Sequence, residues 1–273
     1  MPLVAANGIE INYEEDGDPA GPPLVLVNGL GGQLIGWRPE LVPALVERGF
    51  RVIRFDNRDV GLSTWVEDGY GLDDMADDLA GLLDALGIEA AHVLGVSLGG
   101  MIVQTFAIRH PQRLLSLCSI MSTVGAPGLA PPTPEALAVL LRKPAADRES
   151  SIEQSVEGFR VISSPGYPFD EEGVRQRAAA AYDRAYHPAG VGRQLAAVAG
   201  AGDRTEALGS VAVPTLVLHG TDDPLIGVAA GEATAKAVPG ARLVLFEGMG
   251  HDVPAALVPE IVDAVVANTL LSS

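Results

Sequence analysis

Ala90-Ala91-His92-Val93-Leu94-Gly95-Val96-Ser97-Leu98-Gly99 is the stretch that decides the fold. An apolar run leads into a serine with a glycine two positions to either side, the Gly-x-Ser-x-Gly pattern of a nucleophile elbow. At such an elbow a strand ends in a strained turn that starts a helix at once, which leaves the serine hydroxyl clear of the backbone. The alternative is a plain glycine-rich turn, since 32 of the 273 residues are glycine. Partners for Ser97 elsewhere in the chain decide between the two.

Short apolar, β-branched runs alternate with helical patterns along the chain. This alternation predicts a mostly parallel sheet with helices on both faces. Residues 9–13 alternate in polarity and are predicted to form part of an antiparallel hairpin at the edge of the sheet. The predicted central strands are residues 24–27, 52–55, 92–96, 115–121, 215–219 and 242–246.

The alternation stops between about residues 123 and 212, where the chain is rich in Pro, Ala and Gly and then shows helical patterns such as residues 171–185. A helical cap inserted over one end of the sheet explains this break. The predicted organisation is therefore a core of residues 1–122 and 213–273 and a cap of residues 123–212. We expect substrate specificity to lie in the cap, where the candidates for an apolar pocket, or for ordinary packing, are Phe159, Tyr167 and Phe169.

An amphipathic helix is predicted over residues 72–86, where apolar residues recur at i, i+3 and i+4. Gly87 can adopt the left-handed conformation that ends a helix. Four acidic residues fall in its first turns, and we expect them to form a solvated face near the positive end of the helix dipole, not a metal site. They are Asp73, Asp74, Asp77 and Asp78.

Composition and charge exclude several classes of function. A formal net charge of −17 disfavours nucleic acids and anionic membranes, which require clustered Lys and Arg. The lone Cys118 permits no intramolecular disulfide or cysteine-based metal site, and its apolar neighbours predict a buried thiol. The first twenty residues lack a secretory pattern, and no stretch is apolar enough for a membrane helix. We expect a soluble, cytoplasmic globular protein.

A nucleophilic serine needs a general base that a third group holds in the right tautomer. His251 is the preferred base, because it follows Gly248-Met249-Gly250 in a flexible loop between the last predicted strand and the last helix. His219, at the end of a predicted strand, is the strongest rival. Structural roles are expected for the other three histidines, His92, His110 and His187.

The orienting acid should follow the serine and precede the histidine in the chain. Asp222 and Asp223 both fit, directly after the predicted strand 215–219. Asp223 is preferred, with Asp222 as a local cap or turn-stabilising residue. The other common position, after the strand that ends near Met121, is empty, because residues 114–134 contain no Asp or Glu.

Acyl transfer also requires N–H donors for the oxyanion that forms at the attacked carbonyl. The backbone N–H of Leu98, directly after Ser97, is one candidate. The N–H of Leu30 is the second, in the flexible loop Asn28-Gly29-Leu30-Gly31-Gly32 after a predicted strand. A nucleotide-binding role for this loop is disfavoured, because it has neither Gly-x-Gly-x-x-Gly spacing nor a Walker lysine.

With Ser97, Asp223 and His251 in this order, the chain resembles the α/β-hydrolase family over essentially its whole length. Residues 52–64, Val-Ile-Arg-Phe-Asp-Asn-Arg-Asp-Val-Gly-Leu-Ser-Thr, match the family's Asp-x-Arg-x-x-Gly-x-Ser turn, with structural hydrogen bonds expected for its Asp56 and Arg58. Within the family the chain is most similar to lipase/esterase-type carboxylesterases and anthracycline methyl esterases. The resemblance implies an α/β-hydrolase fold with a mostly parallel sheet of about eight strands and a helical cap.

One departure from the family pattern lies in the oxyanion loop. Family members often have His-Gly before the oxyanion donor, where this chain has Asn28-Gly29. Asparagine can still form hydrogen bonds within the loop, so we expect the oxyanion hole to be retained.

The sequence thus predicts a serine hydrolase that cleaves carboxylic ester bonds of small apolar substrates through an acyl-enzyme intermediate. No cofactor or metal is expected, and the oligomeric state is left open. The alternatives on the same triad are a cofactor-free haloperoxidase or perhydrolase, a thioesterase and a lactonase. A ligand-binding, receptor-like homologue is the non-enzymatic alternative. Ser97 disfavours epoxide hydrolases and haloalkane dehalogenases, which use an aspartate nucleophile.

Overall fold

A computed structural model of the chain describes residues 2–272. Within this part, eight strands form one sheet in the order β1-β2-β4-β3-β5-β6-β7-β8. The strands are β1 (Leu3–Ala6), β2 (Ile9–Asp16), β3 (Pro23–Val27), β4 (Arg51–Phe55), β5 (Ala91–Val96), β6 (Leu114–Ile120), β7 (Thr215–Gly220) and β8 (Arg242–Phe246). The first two strands pair antiparallel with each other, and β2 also pairs antiparallel with β4. From β4 to β8 along the sheet, the pairing is parallel. The antiparallel pair of β1 and β2 confirms the predicted edge hairpin, and the parallel strands confirm the six predicted central strands.

Helices cover both faces of the sheet, as predicted. They are α1 (Leu41–Glu47), α2 (Leu72–Ala85), α3 (Leu98–Arg109), α4 (Pro134–Leu140), α5 (Arg148–Ile162), α6 (Glu171–Arg184), α7 (Pro188–Gly200), α8 (Thr205–Leu208), α9 (Val228–Ala237) and α10 (Val258–Thr269). In β3, Leu24 and Leu26 belong to the core cluster that contains residues of α1 and α10. Val25 and Val27 belong to the cluster that contains residues of α2 and α3. This two-residue alternation places one core on each face of the sheet.

Strand order reverses at β3. The chain pairs β4 on one side of β3 and then crosses to pair β5 on the other side. In open α/β sheets, ligands bind outside the carboxyl ends of the strands at such a reversal. The loop after β3 and the turn after β5 therefore meet at the position where a binding crevice is expected.

The prediction that the acidic residues of α2 form a solvated face is wrong for Asp78. Asp73 and Asp74 are exposed, but the side chain of Asp78 is buried. Its two oxygens accept hydrogen bonds from Nε and Nη2 of Arg58 at 2.6 and 2.7 Å. The reason is tertiary, since the helix packs this carboxylate against the turn that carries Arg58. The structural hydrogen bonds expected of Arg58 are confirmed.

Helices α4–α8 lie between β6 and β7, in the region where the strand pattern stops. A buried arginine at the end of α6 joins this insertion to the sheet. Nη2 of Arg184 donates to Asp56 Oδ2 at 2.7 Å and to Asn12 Oδ1 at 2.6 Å, and Nη1 donates to Gln33 Oε1 at 2.8 Å. Asp56 also accepts hydrogen bonds from the backbone N–H groups of residues 34 and 62, so its predicted structural hydrogen bonds are confirmed too.

The thiol of Cys118 is buried in the core between β6 and α10, as predicted. Burial raises the pKa of this thiol well above its ordinary value. Among residues 2–272, no helix combines the length and apolar character that crossing a membrane requires.

Candidate active site

Ser97 occupies a strained turn between β5 and α3. Its φ and ψ are 55° and −119°, a backbone conformation that L-residues rarely adopt. The flanking glycines are required sterically, because a Cβ on Gly95 would lie 2.1 Å from the carbonyl oxygen of Gly99. A Cβ on Gly99 would lie 2.0 Å from the carbonyl oxygen of Val27. The sequence pattern therefore corresponds to a sharp strand-to-helix elbow and not to a loose glycine-rich turn.

A continuous chain of hydrogen bonds links Ser97, His251 and Asp223. Nε2 of His251 lies 2.9 Å from Oγ of Ser97, and its Nδ1 lies 2.7 Å from Oδ2 of Asp223. His251 is 8% exposed and Asp223 is 6% exposed. Because a carboxylate accepts only, Nδ1 carries the proton and Nε2 presents a lone pair to the serine hydroxyl. Asp223 and His251 follow Ser97 by 126 and 154 positions in the chain, and both side chains meet it at the elbow.

Asp223 and its neighbour Asp222 have different surroundings. Oδ1 of Asp223 accepts hydrogen bonds from the backbone N–H groups of Leu225 and Ile226, both at 2.8 Å, which fixes the carboxylate. Asp222 is exposed, and its Oδ2 accepts hydrogen bonds from Thr221 Oγ1 and from the backbone N–H of Gly248. Of the two aspartates, Asp223 is therefore the one that contacts His251.

His219, the rival base, is fully buried in β7. Its Nε2 donates to the carbonyl oxygen of Ile226 at 2.7 Å, so this nitrogen cannot take a proton from a serine. Burial lowers the pKa of His219, although the carbonyl of Ile226 and the charge of Asp223 act in the opposite direction. Nε2 of His219 lies 3.7 Å from Asp223 Oδ2.

The other three histidines make contacts outside the hydrogen-bonded chain of Ser97, His251 and Asp223. Nδ1 of His92 lies 2.8 Å from Ser116 Oγ within the sheet, and Nε2 of His110 lies 2.7 Å from Asp77 Oδ1. His187 lines the cavity described below and stacks on the indole ring of Trp65, with ring centroids 4.0 Å apart. The contacts of His92 and His110 agree with the structural roles expected from the sequence, whereas His187 lies in the wall of the cavity.

The candidate oxyanion donors belong to two segments that lie close to Ser97. Leu98 is the first residue of α3, where backbone N–H groups have no partner within the helix and the helix dipole is positive. A Cβ built on Gly29 would lie 3.3 Å from Ser97 Cβ, so the loop that carries Leu30 also passes close to the serine. Asn28 Nδ2 donates to the carbonyl oxygen of Gln33 at 2.8 Å, which closes this loop as expected.

Two buried polar residues of the insertion contact the loops around Ser97, and no sequence pattern indicates either of them. Ser164, after α5, accepts a hydrogen bond from the backbone N–H of Gly250 at 2.9 Å, one residue before His251. Gln194, in α7, accepts one from the backbone N–H of Gly31 at 2.8 Å. Serine and glutamine are ordinary helix-surface residues in a sequence. Only their tertiary contacts single them out.

A cavity of about 1030 Å³ opens beside Ser97 between the sheet and the insertion. Phe159 and Phe169, two of the three aromatic residues for which the sequence left a pocket role or ordinary packing open, line it. Tyr167 instead packs against a core cluster, and its hydroxyl donates to the carbonyl oxygen of Glu247 at 3.3 Å. Further lining residues include Trp37, Met121, Leu140, Tyr182, Val191 and Leu225. The wall is mostly apolar, which suits an organic small molecule.

The fold and this site together define the class of the α/β hydrolases. The family described as the alpha/beta hydrolase fold matches residues 22–254, and the chain belongs to it. Rhodomycin D methylesterases of two bacteria, a Streptomyces sp. and Streptomyces peucetius, are 31% and 32% identical to the chain, and each comparison covers 98% of this chain and 97% of the relative. The solved enol-lactonase from Burkholderia xenovorans matches with a TM-score of 0.81 and 28% identity, over 98% of this chain and 100% of that one.

Proposed function

We propose that the protein hydrolyses carboxylic esters through an acyl-enzyme intermediate on Ser97. The observation that carries this proposal is the hydrogen-bonded chain from Ser97 through His251 to Asp223 at a strained strand-to-helix elbow. The similarity to methylesterases over nearly the whole chain supports the same reaction.

In the first half-reaction, Oγ of Ser97 attacks the ester carbonyl while Nε2 of His251 takes the hydroxyl proton. The charge that develops on the imidazole is stabilised by Asp223, which holds Nδ1 at 2.7 Å. When the tetrahedral intermediate collapses, His251 returns the proton to the leaving alcohol and the acyl group stays on Ser97. A water molecule then attacks the acyl group on Ser97 while His251 takes its proton, which releases the acid and restores the serine.

We assign the oxyanion hole to the backbone N–H groups of Leu98 and Leu30. Leu98 directly follows the nucleophile at the start of α3, and the loop that carries Leu30 passes close to Ser97, which supports two N–H donors near the attacked carbonyl. Removal of one such donor costs about 10²–10³ in kcat in other serine hydrolases.

Residues 123–212 form the cap in this proposal, and the cavity beneath its helices receives the substrate. The cavity, about 1030 Å³, is at the upper end of the range of small-molecule pockets, about 300–1,000 Å³. Its apolar wall, with Phe159 and Phe169, favours an ester of a large apolar acid. By similarity to the rhodomycin D methylesterases, the favoured substrate is the methyl ester of an anthracycline.

A lactonase is the second candidate, since the enol-lactonase structure covers 98% of this chain. An internal ester presents the same carbonyl to Ser97, and only the leaving alcohol stays attached to the acyl group. Thioesterase, haloperoxidase and perhydrolase activities stay predictions from the sequence. So do the cytoplasmic location and the expectation that nucleic acids are not partners.

The test is a panel of p-nitrophenyl esters, methyl esters of polycyclic acids, thioesters and lactones, with hydrogen peroxide and bromide added in separate arms. Wild type and Ser97→Ala are compared, with Ser210→Ala as the control because Ser210 is exposed and does not line the cavity. We expect hydrolysis of esters by wild type and Ser210→Ala, and loss of nearly all turnover in Ser97→Ala. A fluorophosphonate probe should label Ser97. Ester hydrolysis retained by Ser97→Ala, or binding without labelling or turnover, would overturn the proposal.

A further inference from the structure

The segment at the end of β6 holds the backbone of Ser97 on both sides. The N–H of Ser97 donates to the carbonyl oxygen of Ile120 at 3.0 Å. The carbonyl oxygen of Ser97 accepts a hydrogen bond from the hydroxyl of Ser122 at 2.7 Å. Ser122 is buried, two residues beyond the end of β6. These contacts fix the two peptide units that flank the nucleophile.

The peptide unit between Ser97 and Leu98 carries both the carbonyl that Ser122 holds and the N–H that we assign to the oxyanion hole. This unit is trans and planar, so its C=O and its N–H point in opposite directions. The N–H of Leu98 therefore points away from the Ser122 hydroxyl. Within residues 2–272, Ser97 and Leu98 line the cavity and Ser122 does not. The hydrogen bond from Ser122 thus keeps this N–H on the cavity side of the elbow.

Strain at Ser97 acts against this orientation. The φ and ψ of Ser97, 55° and −119°, lie outside the regions that L-residues favour. Rotation about the Cα–C bond of Ser97 changes ψ, and this rotation swings the peptide unit that carries the Leu98 N–H. The carbonyl of Ser97 also accepts from the N–H of Met101 at 3.2 Å, but that bond belongs to the first turn of α3, and helix ends fray. The shorter bond from Ser122 is therefore the firmer restraint on ψ.

Gly100 leaves the space that the Ser122 hydroxyl occupies. A Cβ built on Gly100 would lie 2.6 Å from Ser122 Oγ, so a larger residue would displace the hydroxyl. Gly100 lies outside the Gly-x-Ser-x-Gly pattern and within α3, where glycine is less favourable than alanine. The approach of Ser122 gives this glycine a steric reason that the elbow pattern does not.

We propose that Ser122 is a positioning residue for the oxyanion hole. Its hydroxyl restrains ψ of Ser97 and so keeps the N–H of Leu98 directed at the oxyanion on the substrate. This inference rests on the proposed function, in which Leu98 donates to that oxyanion. Without the hydroxyl, Ser97 relaxes, the N–H turns away and the transition state loses part of its stabilisation. Because the oxyanion forms only in the reaction, kcat falls and KM does not.

Ser122→Ala tests the inference, with Ser119→Ala as the matched control. Ser119 is equally buried, in β6, and its hydroxyl accepts a hydrogen bond from Nε2 of Gln104 at 3.1 Å. Its removal therefore deletes a comparable buried bond to α3 that does not involve Ser97. We expect kcat of Ser122→Ala to fall about tenfold, with KM within about threefold of wild type. The kcat of Ser119→Ala should stay within about twofold of wild type.

Binding of phenylboronic acid gives a second readout that a merely structural role would not move. The oxygen of Ser97 adds to boron and its proton passes to His251, which leaves a tetrahedral anion at the oxyanion hole. The affinity of Ser122→Ala for this probe should fall by about the same factor as its kcat, and that of Ser119→Ala should match wild type. Ser122→Cys, with a weaker S–H donor, should show an intermediate kcat and serves if Ser122→Ala does not fold.

The outcomes separate the inference from the proposed function. Wild type that lacks Ser97-dependent hydrolysis overturns the proposed function and the inference with it. An active wild type, together with a Ser122→Ala variant whose kcat and boronate affinity stay within twofold of wild type, overturns the inference alone. Equal losses in Ser119→Ala also overturn it, as does a rise in KM of Ser122→Ala at unchanged kcat.

Discussion

His251 is held by Asp223 through a single carboxylate oxygen, Oδ2, at 2.7 Å from Nδ1, while the other oxygen is occupied by two backbone N–H groups. This division leaves the carboxylate no freedom to rotate. Asp223→Asn keeps the shape but lets an NH₂ group face His251, which favours the wrong tautomer. We expect kcat to fall about 10³–10⁴-fold, as in other Ser-His-Asp enzymes. Steady-state kinetics on the best ester of the panel measure the loss.

Asp222→Asn is the matched control for that experiment. Asp222 is exposed and supports the turn through Thr221 and Gly248, so its amide variant should retain most of the wild-type kcat. A larger loss in Asp222→Asn than in Asp223→Asn would show that the wrong aspartate has been assigned to His251.

Ser164→Ala tests whether the insertion holds the loop of His251. Ser164 Oγ accepts from the backbone N–H of Gly250 at 2.9 Å and donates to Asp252, so one hydroxyl binds residues on both sides of the base. Because its removal leaves the N–H of Gly250 without this acceptor, we expect kcat to fall about tenfold. Stopped-flow acylation with a p-nitrophenyl ester measures the step directly.

The neighbouring Ser163 provides the control. Its Oγ is shielded from solvent and has no hydrogen-bond partner within the described part of the chain. Ser163→Ala should therefore leave kcat within about twofold of wild type, since no buried partner loses a bond. Equal losses in the two variants would show that packing of this segment, and not the Ser164 hydroxyl, positions His251.

The fold and the catalytic chain could be predicted because their signals are local. Positions 95 and 99 must be glycine, because a Cβ at either one would lie less than 2.5 Å from a backbone oxygen. The elbow can therefore be recognised in the sequence. The order of Ser97, Asp223 and His251 follows from which loops lie at the carboxyl ends of the strands. Each of these features depends on residues a few positions apart, or on chain order alone.

The contacts of Asp78, Ser164 and Gln194 could not be predicted in this way. Gln194 lies 163 positions from its partner Gly31, and Ser164 lies 86 positions from Gly250. A buried polar side chain is stabilised by its partner and not by its neighbours in sequence, so hydropathy patterns do not reveal it. For the same reason, the helical pattern of α2 predicted a solvent-exposed side chain for Asp78, although the hydrogen bond from Arg58 holds its carboxylate in the interior.

The ion pair between Arg184 and Asp56 should be important for stability. Asp56 is fully buried, so Arg184→Met leaves a carboxylate in the interior without its counter-charge. Breaking a buried pair from one side costs about 3–5 kcal/mol. We expect the free energy of unfolding, measured by urea denaturation, to fall by about this amount.

Arg148→Met is the comparison, because Arg148 pairs with Asp183 on the surface between α5 and α6, where both side chains are about half exposed. Exposed pairs contribute about 0–1 kcal/mol, so this variant should unfold at nearly the wild-type urea concentration. Similar losses in the two variants would contradict a special role for the buried pair.

Stability should also decrease in mild acid because of His92. Burial lowers the pKa of His92 from its usual 6.5 to about 4. Above pH 6.5 the imidazole is neutral in both states and has no effect. Between pH 6.5 and 4 the unfolded chain binds a proton that the folded chain does not, so the free energy of unfolding decreases as the pH falls.

At pH 5 the lowered pKa of His92 decreases the free energy of unfolding by about 2 kcal/mol. In His92→Gln, the drop in unfolding free energy between pH 7 and pH 5 should therefore be smaller than in wild type by about that amount. Ser116→Ala is the control, since it removes the hydrogen-bond partner of His92 but keeps the buried imidazole. Its drop should match that of wild type, because burial is what lowers the pKa. Urea titrations at the two pH values measure all three proteins, and an undiminished drop in His92→Gln would assign the acid sensitivity to other groups.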